Sequence, residues 1–309
     1  MILCCGESLI DMIPAVTAQG ATAYVPHPGG AIFNTAVALG RLGLDVGLLS
    51  GVSTDAFGRL LSETLAANGV ATQYLMRSDR LTTLALLQME NGSARYAFYD
   101  ENSAGRGVTP AEVPSIGAAV EVLYFGGISL VEAPGADTYE GVLAGQGAAR
   151  LVMLDPNIRP GFVRDAQAYR ARLGRMIAAA DIVKVSDEDL DWLVPGELPS
   201  DRKAETLLAQ GPRLVVLTQG ADGAAAFWSA GRVGVAAPAA QVVDTVGAGD
   251  TFNAGFLAGL ADGDCLSKAA LGRITAETVR HALDLGARVA AVTVSRAGAN
   301  PPWAQEVGR

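Results

Sequence analysis

Residues 244–260 read "DTVGAGDTFNAGFLAGL". Three small residues, Gly247, Ala248 and Gly249, stand directly before an acid, Asp250, and a helix-forming run follows. Glycine lets a backbone approach a ligand with no Cβ in the way. The first amides of a helix have no intrahelical acceptor, and the helix dipole favours an anion beside them. The Gly247-Ala248-Gly249 turn therefore suits a phosphate or a developing phosphoryl charge. A carboxylate at the same spot would repel that anion unless it faces a hydroxyl as a base or positioning group. Amides toward phosphate and a carboxylate toward a hydroxyl form the layout that phosphoryl transfer requires. The plainer alternative is that Asp250 only caps the helix.

Upstream, short apolar runs alternate with helical patterns. The stretches "MILCCGES", "DVGLLSGVS", "EVLYFGGI", "ARLVMLDPN", "ADIVKVS" and "PRLVVLTQG" read as strands. Between them, "AIFNTAVALGRLG", "AFGRLLSETLAANGV", "DAQAYRARLGRMIAAA" and "DRKAETLLAQG" carry helical periodicity. This alternation predicts an α/β fold, a doubly wound, mostly parallel sheet flanked by helices, with ligands at the carboxyl ends of the strands. Residues 12–28 and 73–100 break the rhythm. The runs "LTTLALLQME" and "SARYAFYD" around the turn "NG" predict a hairpin. These segments are expected to form a small β-sheet lid on a single domain covering 1–309, the alternative being an edge hairpin that extends the main sheet.

Composition excludes several classes. The 309 residues are 50% apolar and carry a net charge of −9, with only three lysines and no basic run. Nucleic acid is a poor partner for such a chain. No apolar stretch is long enough to span a membrane, and the start "MILCCGESLIDMIP" does not read as a secretory signal. Cys4, Cys5 and Cys265 form neither a disulfide framework nor a metal spacing, and the cytoplasm is the simplest compartment. There is no GxxxxGK[ST] loop, and no dinucleotide fingerprint follows the first strand, which disfavours a nicotinamide-dependent oxidoreductase.

The 244–260 stretch resembles the carboxy-terminal signature of the ribokinase-like, or PfkB, carbohydrate kinases. "PGGAIFNTAVALGRLG", residues 28–43, is similar to their amino-terminal signature. The resemblance runs from "GESLID" to "TVSRAGANPPW". Within the family, "GESLIDMIP", "GGAIFNTA", "LDPNIRP", "KVSDEDL" and "SRAGANPPW" together most resemble bacterial fructokinases.

The resemblance implies ATP-dependent transfer to a sugar hydroxyl, with Asp250 as the base and the amides of Ala248, Gly249 and Asp250 as the anion hole. It implies sugar contacts from Asp11, taken to end the first strand, and from Gly29, Gly30 and Asn34. Arg159, at a strand's carboxyl end in "LDPNIRP" beside Asn157, is to reach sugar or phosphate. Phe98 and Tyr99 are to wall the sugar from the lid. Lys184, Ser186, Thr218, Gly220 and Gly223 are to meet the nucleotide, the two glycines by clearing room. Many relatives carry Asn-x-x-Glu where this chain has Ser186 and Asp189. Asp189 is assigned to magnesium through water, and Asp244 and Thr245, with carbonyls near Gly298 and Asn300, to potassium. Asp100-Glu101 would repel a sugar acid and so favour a neutral hexose, with Arg95, Arg106 and Arg159 as nearby cations.

The expected reaction is D-fructose to fructose 6-phosphate. The alternatives are a 2-keto-3-deoxygluconate kinase or ribokinase of the same family, or a sugar-sensing protein that has lost catalysis. An intact Gly-Ala-Gly-Asp speaks against that loss. The lid edge at "TLALLQM" is expected to be able to pair with a second copy, making a homodimer.

Overall fold

The computed structural model describes residues 1–90 and 93–309; the side chains of 89–95 are outside the described set, so the Asn91-Gly92 turn and the Arg95 side chain lie beyond it. A nine-stranded sheet runs in the order Gly231–Val235, Ala224–Trp228, Leu214–Thr218, Ile182–Ser186, Leu151–Asp155, Val122–Gly126, Ile2–Cys5, Val46–Leu49, Val70–Ala71. Pairing is parallel from Val70–Ala71 through to Leu214–Thr218, and the last two strands turn back antiparallel. The strands are short and apolar on both faces because helices cover both. Side chains alternate along each strand. Ile2 and Cys4 join a core with the helices Ala31–Arg41, Ala248–Asp262 and Ala276–Val294. Leu3 and Cys5 join the other, with Gly135–Gln146, Ala166–Ala179 and Ser200–Leu208. The cysteines are buried and unbonded.

The order of the strands along the chain reverses between Ile2–Cys5 and Val122–Gly126. Loops leaving the carboxyl ends of two such strands diverge and open a crevice, where α/β sheets hold ligands.

A separate four-stranded sheet has the order Thr22–Gly29, Leu9–Val16, Leu84–Glu90, Ser93–Tyr99. It starts at Leu9, earlier than the sequence suggested, so Asp11 belongs to this lid rather than to the end of the first strand. Asp11 stands in register with His27 on one side and Ala85 on the other. Residues Met76–Ser78 pair instead with Gly51–Ser53 in a ribbon of their own. The Leu84–Glu90 strand, expected to offer an open edge, is interior; the lid's edges are Thr22–Gly29 and Ser93–Tyr99. Among the described residues, no helix is long and apolar enough to cross a membrane.

Candidate active site

The Ala248–Asp262 helix starts without a side-chain cap. Gly247 precedes it at φ +77°, a conformation that only glycine adopts cheaply. A Cβ there would stand 2.6 Å from the Cβ of Ala299, so the turn is also packed against the 295–300 loop. The Ala248 amide donates to the Thr245 carbonyl at 3.3 Å, whereas those of Gly249 and Asp250 have no acceptor among the described residues. Two free amides at the positive end of a helix dipole make an anion site.

Asp250 is not the cap. It lies inside the helix's first turn, 8% exposed, and Asn34 Nδ2 donates to its Oδ2 at 2.9 Å. Thr35 Oγ1 donates to the backbone carbonyl of Asp250 at 3.0 Å. Both partners sit on the helix Ala31–Arg41, which opens directly after Gly30. Burial pushes the Asp250 carboxyl up to about 7; the Asn34 bond and the Lys184 charge oppose this, and Asp155 and Glu7 add to it. A carboxyl held near neutrality is a stronger base than one at the ordinary value of about 4.

Lys184, 4% exposed, donates to Asp155 Oδ2 at 3.0 Å. A Cβ placed on Gly249 would lie 3.4 Å from Lys184 Nζ, so the ammonium abuts the helix start. Burial favours the neutral amine, but the carboxylates of Asp155, Asp189 and Asp250 outweigh it and hold the charge. Asp155 ends the strand Leu151–Asp155. It also accepts from Asn253 Nδ2 at 2.7 Å and from the Asn157 amide at 3.1 Å, with Asn157 at φ +44°. Asn253 Nδ2 reaches the Tyr124 hydroxyl at 2.9 Å as well. Sequence reasoning missed Asp155 and Asn253, although both stand inside the two motifs it quoted.

Ser186 and Asp189 form a reciprocal capping box at the start of the helix Asp187–Leu193. Asp189 Oδ2 accepts from the Ser186 amide at 3.1 Å and hydroxyl at 2.9 Å, and its Oδ1 accepts from the Ile158 amide at 2.7 Å. The pair thus fastens the loop that carries Arg159. Among the described residues, no group of three or more His, Cys, Asp or Glu could hold a metal directly. Magnesium held through water, the arrangement it favours, needs no such group. Asp244 takes the amides of Val246 at 3.0 Å and Gly298 at 2.8 Å, which ties the 244–247 turn to the 295–300 loop. Both oxygens of its carboxylate are thus engaged by backbone amides.

Thr218 ends the strand Leu214–Thr218 with its hydroxyl 3.4 Å from the Val185 carbonyl. Gly220 has φ +53° and open space beside it. Gly223, expected to clear room for a nucleotide, also seats the turn on the neighbouring strand: a Cβ there would collide with the Val235 carbonyl oxygen.

On the lid side, a Cβ on Gly29 would collide with Asp11 Oδ2, so Gly29 clears space for that carboxylate. Burial pushes Asp11 up to about 6. Gly30 turns the chain into its helix at φ +106°. A cavity of about 520 Å³ opens under the lid, walled by Tyr96, Phe98, Phe162, Arg159, Ser129 and Glu7 among others. Phe98 meets Phe162 edge-on at 4.3 Å. Tyr99, expected beside Phe98, points to the opposite face and is 61% exposed, because strand side chains alternate. Tyr96 takes its place on the cavity side. Asp100 and Glu101, expected to repel a sugar acid, are matched by cations instead. Arg106 bonds Asp100 and Glu132, each at 3.4 Å, and Glu101 pairs with Arg164 at 3.6 Å. Arg159 has no carboxylate partner of this kind among the described residues; Nη1 donates only to its own neighbour's carbonyl, at Ile158, at 3.1 Å.

Residues 1–306 match the model of the pfkB family carbohydrate kinases. The chain is 46% identical over 285 residues to a fructokinase of Rhizobium leguminosarum bv. trifolii, covering 92% of this chain and 87% of that one. A fructokinase of Xylella fastidiosa with bound ATP superposes with a TM-score of 0.90 at 28% identity, covering 99% and 96%. A fructokinase double mutant of Vibrio cholerae O395 with fructose, ADP and potassium ion bound superposes with a TM-score of 0.83 at 26% identity, covering 96% and 93%.

Proposed function

We propose that this chain, which belongs to the pfkB family of carbohydrate kinases, transfers the γ-phosphoryl group of ATP to the 6-hydroxyl of D-fructose. The observation that carries the chemistry is Asp250, a buried carboxylate raised to about 7, whose own amide and that of Gly249 stand free at the helix start close to the Lys184 ammonium. Fructose as the acceptor rests on the similarity to fructokinases. The sugar oxygen forms its bond to the γ-phosphorus as the bond to the β–γ bridging oxygen breaks. ADP leaves with that electron pair, and the hydroxyl proton passes to Asp250. The Gly249 and Asp250 amides and Lys184 hold the charge on the transferring group. Ala248 shapes the turn.

Asp11, Gly29, Gly30, Asn34, Phe98 and Arg159 hold the sugar in this reading, with Tyr96 added. Thr218, Gly220 and the Ser186 turn face the nucleotide. Magnesium, reached through water near Asp189, would supply charge neutralisation when bound with the nucleotide. A potassium ion at Asp244 and Thr245 would steady the 244–247 turn. Two copies pair through the lid's edges.

A second reading has one observation behind it. Arg159, a guanidinium without a carboxylate partner among the described residues, lines the cavity under the lid and would suit the carboxylate of a 2-keto-3-deoxy sugar acid. The test is ATP consumption with magnesium and potassium across fructose, ribose, 2-keto-3-deoxygluconate, tagatose 6-phosphate and adenosine. Fructose is expected to give the highest kcat/KM. A higher value for the keto-acid would replace fructose with it.

A further inference from the structure

Glu7 stands outside every role assigned above. It lies two residues past the strand Ile2–Cys5, at the crevice where the strand order reverses. It is 7% exposed, and its hydrogen-bond partners are not cations. Its Oε1 accepts from the Ala31 amide at 3.1 Å and its Oε2 from the Ser129 amide at 3.2 Å. Two glycines of positive φ make room for it. A Cβ on Gly127 would collide with the carboxylate, and one on Gly30 would stand 3.2 Å from Cγ. The backbone on both sides is thus shaped around a buried acid.

Burying a carboxylate is costly unless its lone pairs are met. Two amide bonds meet about half of the roughly four acceptor positions a carboxylate offers. Glu7 also forms part of the wall of the 520 Å³ cavity, alongside Ser129 and Arg159. The Ser129 hydroxyl donates to the Gly126 carbonyl at 2.7 Å. Arg159 only donates and Glu7 only accepts. A ligand that meets both must offer an acceptor to one and a donor to the other, and the hydroxyls of a polyol supply the two.

We propose that Glu7 is a substrate-binding residue whose carboxylate accepts a hydrogen bond from a sugar hydroxyl other than the one phosphorylated. This rests on the sugar-kinase reading above. The rival is a clamp that only ties Ala31 to Ser129, and a double-mutant cycle against the substrate separates the two.

The kinetics of wild type and Glu7→Gln are measured on fructose and on its 1-deoxy, 3-deoxy and 4-deoxy forms, with the melting temperature as a check on folding. Loss of a hydrogen bond to a charged group lowers kcat/KM on fructose by about 10- to 100-fold. On the one analogue that lacks the partner hydroxyl, the two proteins should differ by less than about threefold, while ATP KM stays unchanged throughout. An equal loss on every sugar, or no loss on fructose, overturns the proposal. If Glu7→Gln does not fold, Glu7→Asp withdraws the carboxylate by one methylene, and the same pattern decides. If wild type turns over a different sugar, the fructose reading fails, and the cycle on that sugar's deoxy forms supports or overturns the Glu7 contact by the same pattern. Turnover of no sugar overturns both.

Discussion

Asn34 Nδ2 lies 2.9 Å from Asp250 Oδ2, although 216 residues separate them in the chain. The bond joins the amino-terminal and carboxy-terminal signatures into one site. It holds the carboxylate in place and stabilises its charged form inside a buried environment. Its removal should therefore be felt in proton transfer as well as in binding.

Replacing Asp250 by Ala should lower kcat by about a thousandfold or more, within the range of general-base and positioning effects. Nucleotide binding, measured by calorimetry with ATP alone, should change little, since the amides and Lys184 remain. Near-normal turnover would remove Asp250 from the role of base.

The pH profile follows from the Asp250 carboxyl near 7. A base must be ionised, so kcat/KM should fall about tenfold per pH unit below that value and level off above it. Because the Asn34 bond favours the charged form, Asn34→Ala should move the acid limb to higher pH as well as lower the plateau. An unmoved limb would show that the bond does not reach the titrating group.

Stability should show the opposite face of the same shift. A carboxyl whose folded pKa is raised from the 3.8 reference to about 7 destabilises the fold when ionised. The cost is absent below about 3.8, grows between the two values and is complete above about 7. Asp250→Asn should thus melt higher than wild type at pH 8, by the equivalent of about 1–4 kcal/mol. At pH 3.5, below both values, the two should melt nearly together. Equal differences at both pH values would rule out ionisation as the source.

Gly29→Ala places a methyl where Asp11 Oδ2 now sits. The carboxylate must move, and the sugar KM should rise by about tenfold or more, the effect of losing a charged hydrogen bond. ATP KM should hold. A parallel rise in both constants would mean the lid as a whole had shifted.

Lys184→Met removes the ammonium beside the helix start and leaves Asp155 without its cation. Breaking a buried pair in this way costs about 3–5 kcal/mol of stability. Where the variant folds, kcat should drop further than the KM for fructose rises, because the charge acts on the transferring group. A loss confined to fructose KM would place Lys184 on the sugar instead.

The fold class was legible in the sequence because parallel strands buried on both faces read as continuous apolar runs, and covering helices carry their own period. The anion-binding turn was legible too, since its glycines, acid and helix start are contiguous. Side chains whose partners come from another part of the chain were not. Whether Asp250 capped its helix or faced the cleft depended on Asn34, which only packing brings near. Asp11 moved from the sheet to the lid because strand ends are set by pairing partners. Tyr96 replaced Tyr99 because register decides which face of a strand is inward. Asp100 gained a cation, Arg106, which it shares with Glu132 and which only packing brings near. Glu7 stood in a motif without a task, since a buried acid and an exposed one look alike in sequence. Local spacing along the chain determined the elements and the phosphate turn. Only the tertiary structure decided which charges are buried, which are paired, and which are left for a ligand, because desolvation and Coulomb interactions depend on neighbours in space.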